Sequence, residues 1–325
     1  MTALTALFIG GNGIISSACS ALAIERGIDL TLLNRGTDST RPPIEGARSI
    51  IGDADDLASA KLGEYDVVVN FRSFLPSSVA SDIELFAGRT AQYVYISSAS
   101  AYQKPVSRLP ITESTPLRNP WWQYSRDKIA SEDLLVAAYR SDGFPATIVR
   151  PSHTYDRTLI PLEGGWTQLD RMRRGEPIVV HGDGTSLWTL THNTDFAKAF
   201  VGLLGNARAV GDTFQITSDE VHTWDAIATL LADALGVTPQ IVHVASETIA
   251  RSIPDWGPGL LGDKAHSVVF DNTKVRGLVP DYVATTPFWK GAREIVDWHL
   301  GSPERQEIDA DLNASLDALV AAARA

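Results

Sequence analysis

The first twenty-six residues constrain this chain more than any other stretch. A short apolar run over 4–9 stops at Gly10-Gly-Asn-Gly-Ile-Ile-Ser16, and an Ala- and Leu-rich segment over 18–26 follows. The run reads as a buried strand and the segment after it as a helix. Strand, Gly-rich turn and helix in that order make a βα unit, which needs a parallel neighbour to bury its strand. The pattern recurs: 30–33, 49–51, 65–70, 92–96 and 146–150 read as five further strands. Strands alternating with helices over 1–155 predict an α/β fold with a doubly wound parallel sheet.

Beyond Asp156 the rhythm changes. Gly164-Gly165, 171–175 and the turn Gly182-Asp-Gly-Thr read as irregular. Helices are expected at 193–204, 223–235 and 304–325, and strands at 213–217 and 240–244. The segment 252–264 holds Pro254, Trp256, Pro258 and several glycines, and reads as a loop of the kind that often forms a lid. The expected organisation is a first domain over 1–155, to which 190–217 returns, and a smaller lobe over 156–325. A chain of 325 residues is long enough for both.

A net charge of −11 opposes a nucleic-acid surface, which needs clustered Lys and Arg. The single cysteine, Cys19, permits no intramolecular disulfide or cysteine cage and reads as packing. The seven histidines show no metal-binding spacing, so no metal is expected. No apolar run approaches the ~18 residues of a membrane span, and no basic residue precedes the first apolar run. The expectation is a cytoplasmic protein without membrane contact.

Chemistry is concentrated in 95–128. Tyr95-Ile-Ser-Ser-Ala-Ser-Ala-Tyr102 reads as a strand ending in hydroxyls, and Tyr124-Ser-Arg-Asp-Lys128 as the start of a helix. Tyr124 and Lys128, four apart, share a helix face. A tyrosine with pKa near about 10 is a poor acid/base at neutrality, and a neighbouring ammonium lowers it. With a serine facing it, such a pair can move a proton to or from a substrate oxygen. Tyr and Lys four apart also occur on many helices without that role.

Other strand ends carry polar residues. The second ends at Asn34-Arg35-Gly36, with no acidic residue until Asp38. Arg35, with Thr37 and Ser39 nearby, suits a ribose 2′-phosphate or simply caps an exposed strand end. Asp53, followed by Ala54, can accept from an adenine amine or cap the helix near Leu57. Arg72, after Phe71, suits a ligand or a surface ion pair. Of the adjacent Trp121 and Trp122, one is expected to line a pocket. His153, after the sixth strand, can border it too.

These features together resemble the extended short-chain dehydrogenase/reductase family, including its epimerase/dehydratase branch. The carriers are Gly10-x-x-Gly13-x-x-Ser16, Asp53, Ser97-Ser-Ala-Ser-Ala-Tyr102, Tyr124-x-x-x-Lys128, Arg150-Pro151, Gly182-Asp-Gly184 and Phe214-Gln-Ile-Thr217. The resemblance implies a Rossmann-type domain with a C-terminal substrate lobe, a homodimer, and Ser98, Tyr124 and Lys128 as catalytic residues. It implies that Gly10, Gly11, Asn12, Gly13, Ile14, Ile15, Asn34, Arg35, Asp53, Ala54, Phe71, Arg72, Ser97, Tyr124, Lys128 and Pro151 hold the cofactor, NADP in preference to NAD. Ser100, Trp122, His153 and Trp188 are the expected substrate contacts.

The departures narrow the chemistry. Ala99 and Ser100 stand where 4,6-dehydratases carry an acidic pair. Trp188 stands where an arginine binds the diphosphate of nucleotide sugars, and suits stacking on a ring instead. The expected function is hydride transfer at a secondary alcohol or ketone of a polar small molecule, such as a sugar or specialised metabolite. An epimerase using transient oxidation is the first alternative. A non-catalytic cofactor-sensing or RNA-associated protein is the second, opposed by the intact Ser98, Tyr124 and Lys128.

Overall fold

The computed structural model describes residues 3–36, 41–60 and 62–325; Thr37, Asp38 and Ser39, named above, lie outside them. Along the chain come β1 (Thr5–Ile9), α1 (Ile14–Glu25), β2 (Asp29–Asn34), β3 (Arg48–Ile51), β4 (Val67–Asn70), α2 (Pro76–Phe86), β5 (Gln92–Ile96), α3 (Gln123–Asp142) and β6 (Ala146–Pro151). There follow β7 (His153–Tyr155), α4 (Gly165–Arg173), β8 (Pro177–His181), β9 (Leu187–Trp188), β10 (Leu190–His192), α5 (Asn193–Leu203), β11 (Thr213–Ile216), β12 (His222–Thr223), α6 (Trp224–Leu235) and β13 (Gln240–Val244). The chain closes with α7 (Ser246–Ser252), the one-turn α8 (Gly257–Gly259), α9 (Thr273–Leu278), α10 (Phe288–Leu300) and α11 (Ala310–Arg324).

Seven strands form one parallel sheet in the order β11-β6-β5-β4-β1-β2-β3. Its central strands are apolar runs because helices cover both faces. Phe8, Val67 and Val69 pack with Cys19 of α1 and Phe196 and Phe200 of α5. Leu7, Val68 and Tyr93 point the other way, to Val79 and Phe86 of α2 and Leu135 of α3. The chain runs outward from β1 to β2 and β3, then returns to place β4 on the other side of β1. Such a reversal opens a crevice at the carboxyl ends of the two strands, where ligands of open α/β sheets bind. Gly10 follows β1 and Phe71-Arg72 follow β4, so the sequence places both at its mouth. Gly10 has φ +84°, and a Cβ there would stand 2.5 Å from Arg72 Cγ.

Outside the sheet, β7 pairs with β10, β9 with β12 and β8 with β13. Trp166, Trp188, Trp224 and Phe288 lie in a second apolar core there. The structure departs from the sequence reading at four places. Helix α1 begins at Ile14 rather than 18, directly on the Gly-rich turn. Residues 171–173, expected to be irregular, close α4: Arg171 is buried on Pro177 O (2.7 Å), Asn313 Oδ1 (2.8 Å) and Asp317 Oδ1 (2.8 Å), which removes the polar stripe an amphipathic helix shows. The expected loop at 252–264 is a succession of helical turns ending in a π-helical turn, Leu260–Lys264. Its prolines sit in first-turn positions, where a missing N–H is no loss. The last helix starts at Ala310, where Asp309 Oδ1 accepts from the Leu312 amide (2.9 Å).

Candidate active site

The crevice holds a cavity of about 690 Å³. The expected cofactor residues line it, with one correction: Gly11 lies behind it, where a Cβ would meet Leu32 Cδ2 at 2.5 Å. Gly11 is therefore required for packing the turn onto β2. Ser16, where a third glycine is usual, fits because its hydroxyl folds back, donating to Gly10 O (2.6 Å) and accepting from Gly13 N–H (2.7 Å). The amides of Ile14 and Ile15, in the first turn of α1, have no intrahelical acceptor, and both residues line the cavity. No acidic residue occupies that turn, so the helix end favours an anion. Asn12 Oδ1 is buried without a partner among the described residues. Free amides and a turn that tolerates no Cβ suit a dinucleotide pyrophosphate.

Asn34, Arg35, Asp53, Ala54 and Arg72 complete the wall. Asp53 Oδ1 accepts from the Asp55 amide (3.1 Å), a local turn contact. Sequence reasoning missed Arg41. Its guanidinium donates to Asp156 Oδ2 (2.7 Å) and Thr158 Oγ1 (2.7 Å), and lies 3.5 Å from Asn12 O. The arginine thus straps the segment after β2 across the Gly-rich turn to the chain beyond β7. No periodicity marks such a residue, because its partners are 115 and 117 positions away.

At the inner end Lys128 is buried. Its Nζ donates to Ser73 O (3.0 Å) and Ile96 O (2.8 Å) and faces the rings of Tyr95, Phe74 and Tyr124 at 4.8, 5.0 and 5.7 Å. Burial pushes its pKa down to about 7, against a smaller upward pull from Glu132. Burial raises the Tyr124 phenol and Asp263 adds to this, while Ser98 beside it pulls the pKa back down. Lys128 gives two of its three N–H groups to main-chain carbonyls and stands 5.7 Å from the centre of the Tyr124 ring.

Ser98 sits at the end of β5, where its Oγ accepts from the Ser100 amide (3.1 Å). Its hydroxyl is 2.9 Å from Ser100 Oγ, to which Ser125 Oγ donates (2.8 Å), making a row of three hydroxyls. Behind it a buried clamp joins α3 to the strand ends. Glu132 accepts from Ser97 Oγ (2.5 Å) and from Arg150 Nε (2.9 Å) and Nη2 (2.5 Å), and Arg150 covers the Tyr102 ring. Glu132 lies one turn beyond Lys128, a spacing the sequence shows but does not explain.

A second cavity of about 260 Å³ adjoins the first, and Ser98, Tyr124, Pro151 and Ser152 line both. The expected Ser100, Trp122, His153 and Trp188 line it, with Thr189, Asp263, Lys264, Val268 and Phe270, which the sequence reading did not single out. Trp121 instead lies at the surface, its ring tilted against His266 with centroids 5.6 Å apart. Trp188 is more constrained than expected: it is buried, packs on Trp224 with centroids 5.1 Å apart, and donates its indole N–H to His153 Nδ1 (3.1 Å). Burial, with the Lys264 charge nearby, pushes His153 down to about 3.

Residues 6–217 match the family model described as the NAD dependent epimerase/dehydratase family. The chain belongs to that family. It is 30% identical over 262 residues to the chloroplast stem-loop binding protein of 41 kDa b of Arabidopsis thaliana, covering 73% of this chain and 65% of that one. It is 28% identical over 221 residues to the 2′-dehydrokanamycin reductase of Streptomyces kanamyceticus, covering 67% and 61%. The match thus spans less than two thirds of either relative. The fold is similar to the UDP-glucose 4-epimerase of Thermus thermophilus solved with NAD, with TM-score 0.70, 20% identity and coverage of 92% and 100%.

Proposed function

We propose that this chain is an NAD(P)-dependent oxidoreductase acting at a secondary alcohol or ketone of a polar small molecule. One observation carries the reading: Ser98 and Tyr124 stand on the wall shared by the dinucleotide-sized crevice and the smaller cavity. A bound nicotinamide supplies or accepts the hydride. In reduction, Tyr124 gives its phenolic proton to the carbonyl oxygen, which Ser98 holds by its hydroxyl. The Ser100 and Ser125 hydroxyls orient Ser98. Lys128 fixes the 71–75 loop against the end of β5 and sets a positive charge beside the resulting phenolate.

Arg35, on the crevice wall with no carboxylate at the end of β2, supports NADP over NAD. Residues 1–155, with 190–217, would hold the cofactor, and 156–325 mainly the substrate. Exposed Leu134 and Tyr139 on α3, with Phe74 and Leu75 ahead of α2, support a homodimer. No described helix is long and apolar enough to cross a membrane; a cytoplasmic location is the matching proposal. A second reading, epimerisation by transient oxidation, draws on the family description and uses the same three residues. The Arabidopsis relative is named for stem-loop binding; the net charge of −11 favours an enzyme here.

The test is Tyr124→Phe, assayed by NADPH oxidation against a panel of cyclic and sugar-derived ketones. Turnover should fall by about 10²–10⁴ with nucleotide affinity unchanged. Wild-type turnover in the variant overturns the assignment.

A further inference from the structure

Resting on that reading of the site, the structure also bears on what the smaller cavity binds. We propose that it takes an uncharged, polyhydroxylated ring and rejects a sugar carrying a diphosphate. At about 260 Å³ it falls just below the roughly 300–1,000 Å³ of sites for drug-sized ligands, which suits a single ring.

Charge decides the class. Among the described residues, the only ionic side chains lining the cavity are Asp263 and Lys264, and no arginine does. Lys264 Nζ is held by Glu163 Oε1 at 2.7 Å. Asp263 Oδ1 lies 3.1 Å from the fully buried Lys104 Nζ. Two cations are matched by two carboxylates, so the site has no surplus positive charge for a diphosphate, which is held by guanidinium forks or clustered cations. A diphosphate would have to pull Lys264 from Glu163 and would face the Asp263 carboxylate.

What the cavity offers instead is unspent hydrogen bonding. Among the described residues, Thr189 Oγ1 is buried without a partner. An indole N–H only donates, so His153 Nδ1, which receives it from Trp188, carries no proton. The ring proton is then on Nε2, which has no partner among the described residues. A hydroxyl, both donor and acceptor, satisfies a threonine hydroxyl, a fixed imidazole N–H and a carboxylate alike. Trp122 and Phe270 supply aromatic surface for the C–H face of a ring.

The charged pair is also held in place. The π-helical turn bearing it, a geometry frequent at functional sites, is fixed by Asn119 Nδ2 donating to Gly262 O (2.7 Å). His181, Ser186 and Trp224 all donate to Lys264 O (3.0, 3.2 and 3.2 Å).

The test is saturation-transfer NMR on the NADPH-loaded protein with methyl α-D-glucoside, myo-inositol, UDP-glucose and kanamycin. The neutral rings should bind, with affinity unchanged from about 50 to about 500 mM salt. Thr189→Val, nearly isosteric, and His153→Leu should each weaken them by about fivefold, the effect of one lost hydrogen bond. Tighter binding of UDP-glucose or kanamycin, strong salt dependence, or no binding of either neutral ring overturns the proposal. Binding is read without turnover, so neutral rings that bind the wild-type protein while it transfers no hydride to or from any of the panel would sink the oxidoreductase reading and leave this one standing.

Discussion

The Lys128 ammonium lies 5.7 Å from the centre of the Tyr124 ring, one helical turn away, yet gives its hydrogen bonds to the carbonyls of Ser73 and Ile96. It is thus a buried cation held by dipoles. A free lysine titrates near about 10.4, and here burial brings the value to about 7. Between these values the unfolded chain binds the extra proton, so stability rises with pH. Below about pH 7 the cost of the buried charge is fully present. Lys128→Met removes it. The melting temperature of the variant relative to wild type should be highest near pH 6 and fall steadily towards pH 9.5. The carbonyls left without a donor lower the variant equally at every pH, so the slope is the prediction. A difference that is flat with pH contradicts it.

The Glu132 clamp should respond differently. Glu132→Gln keeps the shape but leaves Arg150 as a buried charge without its partner. Breaking one side of a buried pair costs about 3–5 kcal/mol, and urea unfolding should show a loss of that order. A loss under about 1 kcal/mol would mean that the ion pair is replaceable by neutral hydrogen bonds.

Gly10 and Gly27 make a matched pair. Both have positive φ, +84° and +78°, but nothing stands within 4 Å of a Cβ at Gly27. Each change to Ala should cost about 1–2 kcal/mol for the left-handed backbone. Only Gly10→Ala also displaces Arg72 at the crevice, so only it should weaken nucleotide binding, by tenfold or more on the order of one lost charge-assisted contact. Equal nucleotide affinity in both variants contradicts the placement of the crevice.

Arg41 closes the crevice from above. Arg41→Ala removes the strap to Asp156 and Thr158, and stopped-flow chase should show nucleotide leaving several-fold faster with association little changed, as for a loop that gates release. An unchanged dissociation rate would assign Arg41 to stability alone.

Much of this was legible in the sequence. The β4 run Val67-Val-Val-Asn70 and the Gly-rich turn after β1 place the sheet and its crevice, because central parallel strands and tight turns admit few residue types. Tyr124 and Lys128 were found by their spacing on a helix. The remainder was hidden for physical reasons. Glu132 and Arg150 pair across 18 positions, and Arg41 and Asp156 across 115, so neither pair leaves a local pattern. Asp263 and Lys264 sit in a segment whose Pro and Gly read as loop, although they begin helical turns. The upward shift of the Tyr124 pKa comes chiefly from burial, which spacing alone does not reveal.

The most direct measurement is on the cofactor. The purified protein is denatured, any released nucleotide identified, and native protein titrated with NADPH and NADH by fluorescence. The account predicts protein free of stoichiometric nucleotide that binds both and prefers NADPH, with the preference lost in Arg35→Ala. Stoichiometric, non-exchanging NAD would contradict a dissociable-cofactor reductase and put epimerisation first. Failure to bind either nucleotide would remove the basis of both readings.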